Sequence, residues 1–122
     1  MDDDPETVVG KWKDRVSAFS KAREWECFHT PKNLSMAIAA EAAELMEHFL
    51  WEDGSGKNGL PEDSGKRAEI EEELADILIF CTQFANVTGI DMSRAVAAKL
   101  EKNETRYPVE KARGRADKYN EL

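Results

Sequence analysis

Cysteine is scarce in this chain, with two in 122 residues, Cys27 and Cys81. They lie far apart and match no metal-binding or redox spacing, which argues against a cysteine metal site or a dithiol redox motif. Each falls in a segment with helical, partly apolar periodicity, so we expect two reduced, buried thiols. This cysteine usage favours the cytoplasm.

Long hydrophobic runs and a basic N-terminus are also missing. No apolar stretch approaches the roughly 20 residues of a membrane span. The first ten residues, MDDDPETVVG, are acidic and lack the basic and apolar regions of a signal peptide. We expect no membrane partner and a cytoplasmic location, with other eukaryotic compartments still open.

Basic residues are the minority among the charged side chains. The chain has 17 of them against 25 acidic residues, which gives a net charge of −8. A net negative charge disfavours sequence-independent binding to nucleic acid phosphates, so we do not expect free DNA or RNA as a partner.

The remaining composition, with 41% hydrophobic and 34% charged residues, is that of a soluble globular protein. A length of 122 residues corresponds to about one domain. We predict a single domain over 1–122, with its core at about 7–107 and a polar C-terminal tail at 108–122. A chain this small gains stability from association.

Strand-like alternation is absent, whereas apolar residues recur at helical spacing along almost the whole chain. The sequence therefore predicts an all-α fold with four main helices. Pro31 and Pro108 end helices, Asn33 and Asp91 begin them as N-caps, and Gly89 suits a left-handed C-cap. The predicted helices cover about 7–28, 34–51, 67–87 and 92–106, with a glycine-rich loop at 52–66.

Two glutamates interrupt the apolar face of the second predicted helix. On a helical wheel Glu41 falls inside the apolar stripe, and Glu44, three residues later, falls at its margin. The stripe itself consists of Leu34, Ile38, Leu45 and Phe49. Either the helix turns a charged face to water at these positions, or the two carboxylates bind something.

The third predicted helix repeats this arrangement. Glu73 lies among apolar neighbours and Asp76 lies at their margin, whereas Glu71 and Glu72 point away as solvated acids do. The apolar neighbours are Ile70, Leu74, Ile77, Phe80 and Phe84. The helix thus sorts its acidic residues into two kinds.

Four carboxylates between two packed helices would repel one another and lose hydration, so they need protons, basic partners or cations. No basic partner for all four is evident in the sequence. Mg²⁺ or Mn²⁺ would satisfy such a site, and helical bundles bind metals with paired carboxylates from facing helices. The residues alone leave two interpretations open, a divalent metal site or charged faces turned to water.

The motifs resemble those of a known family. EAAE at 41–44 and ELAD at 73–76, separated by the glycine-rich spacer, are similar to the E-x-x-E and E-x-x-D signature of the MazG-type all-α nucleoside triphosphate pyrophosphohydrolases. Further stretches resemble the dCTP pyrophosphatase branch, in order and at matching spacing from about residue 16 to the end. They are REWECFH at 23–29, PKNL at 31–34, FLW at 49–51, RYP at 106–108 and KYNEL at 118–122.

The resemblance implies hydrolysis of a nucleoside triphosphate between its α and β phosphates, with Mg²⁺ as cofactor and Mn²⁺ as a second choice. Glu41, Glu44, Glu73 and Asp76 would be the metal ligands and the catalytic residues. It also implies a homo-oligomer, in this family a dimer or a pair of dimers.

The same resemblance implies substrate-binding residues. The matching tryptophans and histidine of the family, Trp25, His29 and Trp51 here, line the base pocket, and an aromatic at the position of Phe80 contributes to it. That aromatic is typically a tyrosine in the family, so any hydrogen bond from its hydroxyl group is lost here. Lys99 and Asn103, one helical turn apart, match residues aimed at the phosphates. We also expect Trp25 and His29 to share one face of the first helix.

Alternatives stay open beside this interpretation. Phosphoribosyl-ATP pyrophosphatases and the all-α dUTPases use comparable carboxylate bundles on other substrates, and the set of tryptophans and histidine separates this chain from them. A non-catalytic helical module for nucleotide binding or dimerisation is the non-enzyme alternative. We interpret His48, near the apolar face of the second helix, as structural.

Overall fold

The predicted all-α class is confirmed. The computed structural model describes residues 2–122, apart from the side chain of Ser64, and contains no strand in that range. Its α-helices are α1 (Val9–Ala22), α2 (Pro31–Glu47), α3 (Ser64–Thr88), α4 (Met92–Arg106) and α5 (Val109–Ala112). Three short 3₁₀ helices cover Glu26–Phe28, Lys57–Gly59 and Tyr119–Glu121. Within residues 2–122, no helix is both long and apolar enough to cross a membrane.

Helix α1 ends earlier than its apolar periodicity predicts. It stops at Ala22, and Glu24 then adopts a left-handed backbone conformation with φ of 55°. The carbonyl oxygen of Ser20 accepts the backbone N–H groups of both Arg23 and Trp25, at 3.2 and 3.1 Å, and so closes the helix. Trp25 therefore lies outside α1, and the prediction that it shares a face of that helix with His29 is wrong.

Helix α2 begins with a different cap from the predicted one. Thr30 is the N-cap, its hydroxyl oxygen accepting the N–H of Asn33 at 3.2 Å, and Pro31 is the first helical residue. Proline suits that position because the N–H it lacks would have no partner inside the helix. The predicted Asn33 cap is thus wrong. The helix also ends at Glu47, before Trp51.

Helix α3 begins at Ser64, a few residues before its predicted start, because Asp63 caps it by accepting the N–H of Gly65 at 2.9 Å. The predicted signals at its other end are confirmed. Gly89 is the left-handed C-cap with φ of 73°, and Asp91 caps α4 through the N–H of Arg94 at 2.9 Å.

The chain divides into two compact units, one reaching to Gly89 and the other running over Ile90–Leu122. In the first, α2 and α1 both pack against α3. The side-chain amide of Asn86 on α3 donates to the carbonyl oxygen of Lys13 on α1 at 3.0 Å. Among the described residues the buried apolar side chains are Leu34, Ile70 and Ala85.

Two residues of the predicted apolar stripes are exposed instead. Leu74 on α3 is 50% exposed, and Phe49, which follows the end of α2, is 36% exposed. Cys27 is exposed as well, so its predicted burial is wrong, while Cys81 is partly buried; both are free thiols. The helical periodicity thus locates the helices correctly but overstates how much of each stripe is covered within one chain.

The second unit orders part of the tail that was predicted only as polar. The guanidinium group of Arg106 lies 4.5 Å from the ring centre of Tyr119, and the ring of Tyr107 meets Tyr119 edge to face at 6.3 Å. Arg115 pairs with Asp117 at 2.8 Å. The C-terminal segment is therefore packed on the end of α4.

Candidate metal centre

Three of the four proposed acidic ligands meet between α2 and α3. One carboxylate oxygen each from Glu41, Glu73 and Asp76 lies within 4.8 Å of the other two. Glu73 and Asp76 are one helical turn apart on α3, and α2 brings Glu41 opposite them. Such a spacing allows three oxygens to reach one cation, since ligand distances to Mg²⁺ or Ca²⁺ are roughly 2.0–2.6 Å.

The burial of these groups distinguishes them from ordinary surface acids. Glu41 and Glu73 are partly buried, and Oε2 of each is shielded from water without a hydrogen-bond partner in the structure. A buried, unpartnered carboxylate oxygen is costly unless something binds it. Asp76 is exposed at the edge. The donor set therefore fits a hard divalent cation, and its acidic cluster is consistent with a divalent metal site.

The electrostatics of the cluster lead to the same conclusion. Loss of hydration on burial raises the pKa of Glu41 to about 7, with further contributions from the carboxylates of Glu44, Glu73 and Asp76. Burial likewise raises the pKa of Glu73, and Glu44 adds to that effect. Without a cation, Glu41 and Glu73 therefore hold their protons to a higher pH than ordinary glutamates do, because the negative charges of the cluster lie close together away from water.

Glu44 has a different position from the other three. Its side chain is exposed, and it is not one of the three residues whose oxygens all lie within 4.8 Å. It nevertheless lies close enough to raise the pKa of both Glu41 and Glu73. This agrees with its place at the margin of the apolar stripe.

His48, which is predicted to be structural, is a neighbour of the carboxylate cluster. Its Nε2 lies 3.8 Å from Oε1 of Glu73, and its Nδ1 lies 3.6 Å from Oε2 of Glu69. Lys66 donates to the same Nδ1 at 3.3 Å. The available signal was its spacing, since His48 follows Glu41 by seven residues and Glu44 by four. No sequence signal pointed to the contact of Lys66 with His48, because Lys66 lies in the predicted loop at 52–66.

The predicted base-binding residues fall into separate groups. The rings of Trp25 and His29 meet edge to face at 6.2 Å, and Phe19 meets Trp25 at 5.7 Å. The first two are therefore neighbours even though they do not share a helix. Trp25 is 42% exposed, which leaves its ring accessible.

Trp51 lies apart from this pair, after the end of α2. Its backbone is left-handed, with φ of 70°, and its side chain is fully exposed at 100%. Together with loop residues 52–56 and 59–63 it lines a pocket of about 410 Å³. The carboxylate cluster does not line this pocket.

The remaining candidates lie on helices, as predicted. Phe80 is partly buried on α3, one turn beyond Asp76. Lys99 and Asn103 both lie on α4, where their spacing of four residues puts them on one face. Lys99 is exposed and Asn103 is partly buried.

A comparison with known protein families gives a match to the MazG-like family over residues 36–122. The chain belongs to the MazG-like family. The matched range contains the four acidic residues but begins after Trp25 and His29.

Named relatives of this MazG-like chain extend the likeness to nearly its whole length. It is 36% identical to dCTP pyrophosphatase 1 of Rattus norvegicus over 118 residues and to that of Homo sapiens over 122 residues. Each alignment covers 97% of this chain and 69% of the relative. Among solved structures, a pyrophosphatase from Archaeoglobus fulgidus is 33% identical, with a TM-score of 0.70, and the match covers 88% of this chain and 99% of that one.

Proposed function

We propose that the protein is a Mg²⁺-dependent nucleoside triphosphate pyrophosphohydrolase whose substrate is dCTP or a modified dCTP, and that it serves in nucleotide-pool sanitation. The observation that carries the proposal is the meeting of Glu41, Glu73 and Asp76 oxygens within 4.8 Å between two helices. The names of the relatives, dCTP pyrophosphatase 1, support the choice of substrate.

Glu41, Glu73 and Asp76 would hold the cation, Mg²⁺ in the first place and Mn²⁺ in the second, with Glu44 at the edge of the site. A bound divalent cation neutralises phosphate charge and lowers the pKa of a coordinated water. A nucleoside triphosphate carries about four negative charges at neutral pH and would be repelled by bare carboxylates. The acidic cluster therefore makes triphosphate binding dependent on the metal.

The reaction is the hydrolysis of the bond between the α and β phosphates. A water oxygen bonds to the α-phosphorus as the bond to the bridging oxygen breaks, giving a nucleoside monophosphate, pyrophosphate and a proton. In this proposal Trp25, His29, Trp51 and Phe80 bind the base. Lys99 and Asn103 donate hydrogen bonds to phosphate oxygens.

We also propose that the chain acts as a homo-oligomer, either a dimer or a tetramer. Leu74 and Leu78, one turn apart on the same face of α3, are 50% and 53% exposed. Apolar side chains grouped on one helix face are typical of a protein interface. The small number of buried apolar residues in a single chain supports the same proposal.

Pyrophosphate release from a panel of canonical and 5-modified deoxynucleoside triphosphates, with and without Mg²⁺, tests the function. We expect release from dCTP or a modified dCTP only with the metal, and its loss in Glu41→Ala and Asp76→Ala. Glu72→Ala is the matched control, because Glu72 is an exposed acid on the same helix and should leave turnover unchanged.

The same experiment separates the proposal from its alternative. A protein that releases pyrophosphate from none of the nucleotides, yet binds one of them in calorimetry, would be the non-catalytic nucleotide-binding module. Release that persists in Glu41→Ala at the wild-type rate would remove the acidic cluster from the chemistry.

A further inference from the structure

Ser20 is a buried polar residue on α1 that the proposed reaction does not use. Its side chain is 1% exposed, and its Oγ lies 3.1 Å from Nδ1 of His29, nine residues later. A buried hydroxyl group in hydrogen-bond contact with one imidazole nitrogen constrains the ring, because that nitrogen is no longer open to another group.

The backbone of the same residue holds the segment that carries the two rings. The Ser20 carbonyl oxygen accepts the N–H of Trp25 at 3.1 Å. The Trp25 ring in turn meets His29 edge to face at 6.2 Å. Ser20 therefore holds the segment 25–29 at both ends, with its carbonyl oxygen bound to Trp25 and its hydroxyl group bound to His29.

The hydrogen-bond direction follows from the chemistry of the two groups. A neutral imidazole has one N–H donor and one acceptor nitrogen, and a serine hydroxyl carries one hydrogen that needs an acceptor when buried. Among the described residues, Nδ1 of His29 is the one hydrogen-bond partner of Ser20 Oγ. Donation from Oγ–H to Nδ1 satisfies both groups, whereas the opposite direction leaves the buried hydroxyl hydrogen without an acceptor.

We propose that Ser20 is a positioning residue that holds His29 as the tautomer protonated at Nε2, so that His29 presents a hydrogen-bond donor beside the ring of Trp25. Such a donor recognises an acceptor on the ligand. Cytosine also offers N3 and uracil O4, but the acceptor that all pyrimidine nucleotides share is the O2 carbonyl oxygen; the exocyclic amino group of cytosine, itself a donor, does not fit.

The identity of the ligand rests on the proposed function, but the tautomer does not. All pyrimidines carry O2, so this contact contributes affinity for the class and does not separate cytosine from uracil. His29 would thus assist pyrimidine binding in general, and discrimination at the 4-position of the ring would come from other residues.

Nitrogen-15 NMR of the two histidines tests the proposal directly. The chain has only His29 and His48, so a His48→Gln variant assigns the signals. At pH 8 we expect wild-type His29 to show a protonated Nε2 and an unprotonated, hydrogen-bonded Nδ1. A protonated Nδ1 in the wild type would overturn the proposal, and this measurement needs no change at Ser20.

Variants at Ser20 add a second readout. Ser20→Ala should give averaged signals from both tautomers and raise KM for dCTP about three- to tenfold with little change in kcat, as expected for the loss of one hydrogen bond. Ser20→Thr should restore both the tautomer and KM. Ser17→Ala, on the same helix and not hydrogen-bonded to His29, should match the wild type. An unchanged tautomer in folded Ser20→Ala would overturn the proposal.

The two failures can be told apart. If no nucleotide is hydrolysed, the proposed function fails while the tautomer spectrum still reports on Ser20. If dCTP is hydrolysed with the wild-type KM in Ser20→Ala, the positioning role fails while the function stands.

Discussion

Nε2 of His48 lies 3.8 Å from Oε1 of Glu73, so the imidazole faces the same carboxylate whose other oxygen is buried without a partner. The ring is oriented from its opposite side by Lys66, whose ammonium group donates to Nδ1 at 3.3 Å. An ammonium group can only donate, so Nδ1 accepts and the hydrogen of the neutral ring is on Nε2, toward Glu73. The histidine and the lysine together orient one proposed metal ligand.

This arrangement predicts a role for His48 in metal affinity. Replacing a residue that orients a metal ligand typically weakens metal binding about 10- to 100-fold. We expect His48→Ala to raise the Mg²⁺ concentration for half-maximal activity about tenfold, with nearly normal kcat at saturating Mg²⁺. A Mg²⁺ titration of pyrophosphate release measures it. Glu69→Gln, which neutralises the exposed carboxylate near Nδ1 of His48, is the control. Equal Mg²⁺ curves for wild type and His48→Ala would contradict the role.

The raised pKa of Glu41 predicts a pH-dependent stability of the metal-free protein. The pKa of the Glu41 carboxyl group is about 7 in the folded state, against an ordinary value of 4.5. Proton binding by this group therefore stabilises the folded state in full below pH 4.5, and this stabilisation is lost as the pH rises through 7. Glu41→Gln mimics the protonated group at every pH. Urea unfolding in EDTA should therefore show the variant more stable than the wild type at pH 8, by about 1–3 kcal/mol, and close to it at pH 4.5.

The same urea unfolding experiment with Mg²⁺ in place of EDTA should shift the difference in stability in favour of the wild type. Saturating Mg²⁺ at pH 8 should stabilise the wild type, since a cation that binds only the folded state shifts the equilibrium toward it. It should have a much smaller effect on Glu41→Gln. Parallel pH curves for the two proteins in EDTA would contradict the assignment of a shared, proton-retaining cluster.

The left-handed backbone of Trp51 predicts opposite effects on stability and on substrate binding. A residue with a Cβ atom is strained at φ of 70°, whereas glycine is not. Trp51→Gly should be more stable than Trp51→Ala by about 1 kcal/mol in urea unfolding. Both variants should raise KM for dCTP more than they lower kcat, because both lose the exposed ring.

Leu50→Ala is the control for Trp51, since it shortens the neighbouring side chain, 50% exposed, without touching the strained position. Wild-type KM in both Trp51 variants would remove the tryptophan from base binding.

The exposed leucines of α3 predict a change in assembly. Leu78→Arg places a charge on the apolar patch with Leu74, and we expect it to shift the protein to a smaller species in light scattering after size-exclusion chromatography. Glu72→Arg, at an exposed position of the same helix, should keep the wild-type mass. A wild-type protein that is monomeric at micromolar concentration would contradict the proposed oligomer.

The sequence predicted those parts of the fold and the site that depend on local rules. Gly89 and Asp91 mark a helix end and a helix start through backbone conformation and capping, which nearby residues determine. The helical wheels of the second and third helices left two interpretations open, and the meeting of Glu41 with Glu73 is one of them, because it requires both apolar stripes to pack against each other. The end of α1 could not be predicted from the sequence, because no glycine or proline marks it. The helix ends through hydrogen bonds to the Ser20 carbonyl oxygen and the left-handed backbone of Glu24.

Tertiary contacts explain the other omissions. The contact of His48 with Glu73 joins different helices, and Lys66 reaches His48 only because Asp63 starts α3 earlier than expected. Phe49 and Leu74 show the reverse case, in which correct periodicity does not determine whether another surface covers the side chain.

The attachment of α1 has a consequence for motion. Ser20 is the one buried residue of α1. A hydrogen bond from the side-chain amide of Asn86 to the carbonyl oxygen of Lys13 joins α1 to α3. A helix held by so few buried groups opens at a lower free energy than the whole fold. Each such local opening separates Ser20 from His29, so deuterium uptake along α1 would report how often the aromatic pair loses its support while the acidic cluster between the other two helices stays closed.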